Sequence, residues 1–270
     1  MKYISIIESH YPNFSKQEKK IADYFLKEKR TIATMSLQEI TSKTKVSNAT
    51  IVRFVRKIGY KGFPEFKFEV AKEFNEKEIE ENSSSYIDNI AININRTIQG
   101  TKELIEEEKI NKSIELIERA SKIYFFGLGS SGVVAKEFQN KFMRLGKTSI
   151  CAGDNHFQIM YASNSTKEDL IIVISLSGET NELFYPLTIA RERGCKIIAV
   201  TNYIMSTVAK LSDIVLVTVG RESVINGGSL ISKISQLYLL DILSTGYSLK
   251  NRKVVTEIKN TIALAIANKK

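Results

Sequence analysis

The stretch Leu170-Ile171-Ile172-Val173-Ile174-Ser175-Leu176-Ser177-Gly178-Glu179-Thr180-Asn181 joins an unbroken apolar run to a turn rich in Ser, Gly and Thr. A run this short and this apolar suits a strand buried on both faces, the usual setting of a parallel sheet. Runs of the same kind occur at Ile123–Phe126, Ile197–Thr201 and Ile214–Val219. Each is followed by a Gly-, Ser-, Thr- or Asn-containing turn or a polar break, and usually then by a helical pattern. The repeated order of strand, loop and helix predicts an open α/β sandwich over the second half of the chain. Val254, Val255, Ile258, Ile262 and Ile266 predict a closing amphipathic helix.

Loops at the carboxyl ends of parallel strands line the ligand crevice, and the helix N-termini there favour anions. Two such loops stand out. Gly127-Leu128-Gly129-Ser130-Ser131-Gly132 follows the run Ile123–Phe126, and Ser175 to Asn181 follows Leu170–Ile174. Glycine lets the backbone approach a phosphate closely, and Ser and Thr hydroxyls supply short donors. Gly127, Gly129 and Gly132 also match the G-x-G-x-x-G dinucleotide fingerprint, which wants an acid after the next strand. Asp154 stands within reach of that spacing, so this alternative stays open; the second loop, which a dinucleotide site does not need, argues against it.

Upstream, to about Phe74, the pattern is helical throughout. Ile21, Tyr24, Phe25 and Leu26 belong to one helix, and Phe63, Phe66, Phe68 and Val70 to another after Pro64. Between them, Leu37 to Phe54 fits a helix-turn-helix. Leu37 and Ile40 lie on one side of the first helix, and Val46 anchors the turn. Ser47 is a good N-cap for the second helix, whose Ile51, Phe54, Val55 and Ile58 face inward. Asn48, Ala49, Thr50, Arg53 and Lys57 are left outside. From Ile40 to Pro64 the bases Lys43, Lys45, Arg53, Arg56, Lys57 and Lys61 occur without one acid. An exposed recognition helix beside a basic face suits DNA: Asn48 could read adenine, Arg53 guanine or a phosphate, and the lysines phosphates.

The whole chain carries a formal charge of +9, consistent with a polyanionic partner. Cys151 and Cys195 are the only cysteines and lie in no closely spaced motif, so two free thiols in a reducing compartment are expected. His10 and His156 are too few to build a zinc cluster. No apolar run is long enough to span a bilayer, and the start shows no cleavable leader, so a cytoplasmic protein without a membrane partner is expected. Glu76 to Ser85, acidic and ending in three serines, is read as a linker. A connecting helix with Ile87, Ile90, Ile94, Ile98, Thr101 and Ile105 on one stripe follows.

The string Ser47-Asn48-Ala49-Thr50-Ile51-Val52-Arg53-Phe54, with Lys57-Ile58-Gly59-Tyr60, Gly62-Phe63 and Phe66-Lys67, resembles the N-terminal domain of the RpiR family of bacterial regulators. Glu18 to Tyr24 looks like that family's first helix. Two positions depart from the pattern. Thr41 stands where a helix-turn-helix usually has alanine, and Lys45 where the turn commonly has glycine. Ser175-x-Ser177-Gly178-x-Thr180 resembles the phosphate loop of the sugar isomerase (SIS) domain, and the likeness runs from about Ile114 to Gly246.

The resemblance implies an all-α helix-turn-helix domain over 1–78, a linker and connecting helix over 79–106, and a five-stranded parallel α/β SIS domain over 107–270. It implies a sugar-phosphate site formed by Ser175, Ser177, Gly178 and Thr180 with Ser131 and its neighbour Ser130; His156 and Glu222 are added as candidates. Lys43, Lys45, Ser47, Asn48, Thr50, Arg53 and Lys57 are the expected DNA contacts. The reading is of a sugar-phosphate-responsive transcription regulator with no catalytic residue, metal or cofactor, acting as a dimer or tetramer on double-stranded operator DNA. SIS domains also serve isomerases and an etherase, which need a carboxylate base. Glu222 is the residue best placed for that role, and Glu179 is the other carboxylate near the site.

Overall fold

The computed structural model describes residues 2–28, 32, 35–75, 85–220 and 230–268, and the chain separates into two compact units, Met1–Arg96 and Thr97–Lys270. Residues 76–84, most of the expected linker, and Glu222 lie outside the described residues.

The first unit is helical: α1 (Lys2–His10), α2 (Lys16–Lys27), α3 (Leu37–Thr44), α4 (Asn48–Lys57) and α5 (Phe63–Asn75) precede α6 (Tyr86–Leu104), which runs on into the second unit. The starts of α2 and α3 are sharply specified. Ser15 and Glu18 form a reciprocal capping box on α2, and Ser36 and Glu39 form another on α3. Ser47 caps α4 by accepting the Thr50 N–H at 3.3 Å. The inward positions read from the sequence meet in one core: Ile40, Val46, Ile51, Phe54 and Val55 are all buried, together with Ile21, Phe25 and Phe66. Phe25 stacks on Phe66 with ring centroids 5.0 Å apart, and Phe14 meets Phe54 edge-on at the same separation. α1, not distinguished in the sequence, adds Tyr3 and Ile7 to this core.

The second unit is a parallel five-stranded sheet in the order β2-β1-β3-β4-β5. The strands are β1 (Ile123–Phe126), β2 (Ser149–Ala152), β3 (Leu170–Ile174), β4 (Lys196–Thr201) and β5 (Ile214–Val217). Along β3, Leu170, Ile172 and Ile174 enter one core, while Ile171 and Val173 enter the other. A strand buried on both faces shows no polar alternation, and that is why β3 reads as a continuous apolar run. The first core is covered by α7 (Glu107–Arg119), α8 (Gly129–Met143) and α12 (Leu230–Lys250); α13 (Arg252–Ala267) closes the chain and adds Val255 to it. The second is covered by α9 (Asn155–Asn164), α10 (Phe184–Glu192) and α11 (Thr207–Lys210).

β2 has no counterpart among the apolar runs. It is a four-residue edge strand, only Ala152 is fully buried, and Cys151 packs on one core while Ile150 packs on the other. Both cysteines are free. Burial pushes the Cys195 thiol up to about 12, so it behaves as a small apolar side chain.

Candidate functional site

In the second unit the decisive geometry is the junction of β1 and β3. β1 connects through α8 to β2 on one side, whereas β3 connects through α10 to β4 on the other. The two helices lie on opposite faces of the sheet, so the loops leaving these neighbouring strands part and leave a crevice at the switch point. Phe126 pairs in register with Val173, which sets the Gly127–Gly132 loop beside the Ser175–Asn181 loop.

The Ser175 loop is a tight turn held by its own polar groups. Ser175 is buried; its Oγ accepts the Gly178 N–H at 3.1 Å and lies 3.1 Å from Thr180 Oγ1. Ser177 is exposed, and its Oγ accepts the Glu179 N–H at 3.2 Å, leaving its own O–H free to donate outward. Gly178 takes a left-handed φ of 64°, and a Cβ there would fall 2.0 Å from Ser206 Oγ. The turn is therefore closed only by glycine, with the start of α11 packed directly against it. The segment after Thr180 begins with a single 3-10 turn, Asn181–Leu183, before α10 starts at Phe184. The Thr180 hydroxyl faces Ser175 and makes no side-chain capping bond to this turn.

The first loop presents Ser130 and Ser131, both half-buried, in the opening turn of α8. No side chain caps that helix, so the backbone N–H groups of its first turn have no side-chain acceptor. The glycines have a local reason. A Cβ on Gly127 would lie 2.7 Å from the Ser131 carbonyl oxygen, and one on Gly132 would lie 3.1 Å from that of Gly127. The G-x-G-x-x-G spacing is thus accounted for by the close approach of loop and helix. Asp154, the acid that a dinucleotide site would use, caps α9 by accepting the Phe157 N–H at 3.1 Å. His156 is exposed in the first turn of α9.

Glu179 is committed elsewhere. Its two carboxylate oxygens accept the Thr207 N–H at 2.9 Å and the Thr207 hydroxyl at 2.7 Å, fastening α11 to the loop. Gln158 was not singled out in the sequence. Fully buried on α9, it donates to the carbonyls of Gly127 and Ala152, both at 3.2 Å, and so ties the ends of β1 and β2. The signal for it is a polar residue set between the apolar Phe157 and Ile159.

In the first unit, α3 and α4 form the helix-turn-helix. The turn passes through Lys45 with φ 57° and ψ 34°, the one non-glycine residue with positive φ among the described residues. The departure from glycine is accommodated in the left-handed region at modest cost. Lys43, Lys45, Ser47, Asn48 and Arg53 are exposed and Thr50 is half-buried. Arg53 Nη2 donates to Thr50 Oγ1 at 3.3 Å, and Ser47 Oγ lies 3.0 Å from the same hydroxyl, so the three side chains form one polar ridge. Lys57 is exposed as expected, but it has a partner within the protein. Its ammonium bonds both Glu18 carboxylate oxygens at 3.0 Å and lies 5.5 Å from the centre of the Phe14 ring. Burial alone would raise the Glu18 carboxyl; the Ser15 N–H, the Lys57 ammonium and the Ser15 hydroxyl together hold it below its ordinary value.

Residues 1–77 match the helix-turn-helix domain of the rpiR family, and residues 116–245 match the SIS domain. An uncharacterized HTH-type transcriptional regulator of Haemophilus influenzae is 33% identical over 249 residues, covering 88% of this chain and 86% of the relative. The chain belongs to the RpiR family. This RpiR-family regulator is also 30% identical over its full length to an HTH-type transcriptional regulator of Thermotoga maritima. Among solved structures, the Vibrio vulnificus NanR protein complexed with ManNAc-6P matches with a TM-score of 0.65 and 27% identity, covering 98% of each chain. Among the described residues, no helix is long and apolar enough to cross a membrane, and no three His, Cys, Asp or Glu side chains gather to hold a metal ion.

Proposed function

We propose that this RpiR-family regulator works in the cytoplasm as a dimer or tetramer whose SIS domain binds a phosphorylated sugar and thereby changes its affinity for operator DNA. One observation carries the reading. The Ser131 and Ser175–Thr180 loops stand side by side at a topological switch point, offering hydroxyls and uncapped backbone N–H groups to one anion. Ser130, Ser131, Ser175, Ser177, Gly178 and Thr180 would hold the phosphate, with His156 and Glu222 as further ligand-binding candidates. That NanR, 27% identical, was solved complexed with ManNAc-6P supports this ligand class. Lys43, Lys45, Ser47, Asn48, Thr50, Arg53 and Lys57 would contact DNA.

A ligand shifts the equilibrium only by binding the two states unequally. Coupling of about 1–3 kcal/mol would change operator affinity roughly 5- to 150-fold. The competing reading is a SIS-type isomerase or etherase. Glu179, one of its two candidate bases, has both oxygens on Thr207, and this favours the sensor.

A panel of phosphosugars tested by thermal unfolding decides between them. A true effector at 100 times its dissociation constant should add about 2.7 kcal/mol of stability, and its concentration should remain constant on incubation. No stabilisation by any phosphosugar would remove the sensing role, and steady conversion of the ligand would favour the enzyme.

A further inference from the structure

A threonine inside a helix ordinarily returns its hydroxyl to the carbonyl four residues back. Thr44 on α3 does so, donating to the Ile40 carbonyl oxygen at 2.8 Å. Thr41, on the same helix, does not. Its hydroxyl crosses the turn and donates to Asn48 Oδ1 at 2.5 Å. Asn48 is the first residue of α4 and is exposed, at the end of the recognition helix that faces base edges in helix-turn-helix proteins.

A free Asn carboxamide rotates between orientations that exchange its oxygen and nitrogen, and so presents no single pattern to a base. The Thr41 hydroxyl donates to the carbonyl oxygen at a separation that fits O–H···O and is too short for N–H···O, so the carbonyl is held toward α3 and the NH2 group turns away from it. The bound oxygen keeps a second lone pair. One acceptor and two N–H donors therefore remain in a defined order, the set needed to accept from adenine N6 and donate to N7. Alanine, common at position 41 of helix-turn-helix motifs, could not form this bond.

We propose that Thr41 is a positioning residue for sequence readout: it orients the Asn48 carboxamide, and the base preference attributed to Asn48 depends on the Thr41 hydroxyl. This rests on the assignment of α4 as the DNA-reading helix.

The test is selection from a randomised DNA duplex library by the full-length chain, comparing wild type with Thr41→Val, Thr41→Ser and Asn48→Ala. Valine keeps the shape and removes the hydroxyl; serine keeps the hydroxyl. Asn48→Ala should weaken discrimination at one base pair by roughly 5- to 150-fold. Thr41→Val should weaken it at that same base pair by roughly 2- to 12-fold, the scale of one hydrogen bond, with the other positions unchanged. Thr41→Ser should keep the wild-type preference, so a Thr41→Val defect shared by Thr41→Ser would mark a packing effect and overturn the proposal. Wild-type discrimination retained by Thr41→Val, or by Asn48→Ala, would also overturn it. Failure of the wild type to enrich any sequence would instead remove the DNA-reading role of α4, and this proposal with it.

Discussion

The Lys57 ammonium on α4 lies on both carboxylate oxygens of Glu18 on α2, at 3.0 Å from each. A base on the recognition helix is thereby shared with the protein's own acid, and its contribution to DNA binding should be reduced. Each phosphate contact adds about 0.9 to the slope of log affinity against log salt. Lys43→Ala should lower that slope by about this amount, and Lys57→Ala by less than half as much. Glu18→Gln, which keeps the helix cap but frees Lys57, should strengthen binding to non-operator DNA. Salt titrations of the three variants check this; equal slopes for Lys43→Ala and Lys57→Ala would refute it.

The Glu18 carboxylate, held by the Ser15 N–H and by Lys57, makes the helical unit sensitive to acid. Glu18 has its carboxyl held below its ordinary value of 4.5 in the folded state. A depressed folded value contributes stability in full above the ordinary value, and that stability is lost as the pH falls through the folded one. Glu18→Gln should therefore flatten the acid limb of a urea-midpoint profile measured from neutral pH downward. An unchanged acid limb would show that the Glu18 carboxylate contributes nothing to this limb.

Arg53 leans on Thr50 at the exposed ridge of α4. If it reads a base, Arg53→Ala should weaken the selected operator by about 1–3 kcal/mol and relax preference at one position. A uniform loss over all sequences would place it on a phosphate instead. Quantitative gel shifts on operator and scrambled duplexes separate the two.

Ser177 is the exposed hydroxyl of its loop, and only its acceptor side is occupied, by the Glu179 N–H. Ser177→Ala should cost about 1.5–3 kcal/mol of affinity for a charged phosphate while leaving ligand-free DNA binding nearly intact. The measurement is operator binding titrated with the effector that the thermal panel identifies. An unchanged ligand response would take this loop out of the sensing site.

Gly178→Ala should damage the loop through the fold. It would force a left-handed φ on alanine and set a Cβ 2.0 Å from Ser206 Oγ and 2.4 Å from Ser206 Cβ. A loss of about 1–3 kcal/mol is expected in chemical unfolding. Ser206→Ala in the same chain should not rescue it, because the Cβ contact remains. Full rescue would show that the hydroxyl clash alone mattered.

Much of this was legible in the residues. The apolar runs at β1, β3, β4 and β5 marked the parallel sheet because strands buried on both faces carry no polar side chains. Ser47 followed by Ile51, Phe54, Val55 and Ile58 marked α4, because capping and helical periodicity are local rules. β2 is not marked by an apolar run, since a four-residue edge strand containing Ser149 and Cys151 has neither length nor a uniform environment. Asp154 and Glu179 were legible as acids near a ligand loop, but not as a cap for α9 and a clasp for Thr207.

What the sequence determined by itself was the kind of site at each place: a phosphate-type loop after β3, a basic recognition helix after the turn. Only the tertiary structure decided which polar groups there are still free. Lys57, Glu179 and Asn48 each meet a partner that lies 39, 28 or 7 residues away along the chain. Periodicity and capping act over a few residues, and so reveal elements and their faces. A hydrogen bond between elements depends on how those elements pack, and no local pattern encodes that distance.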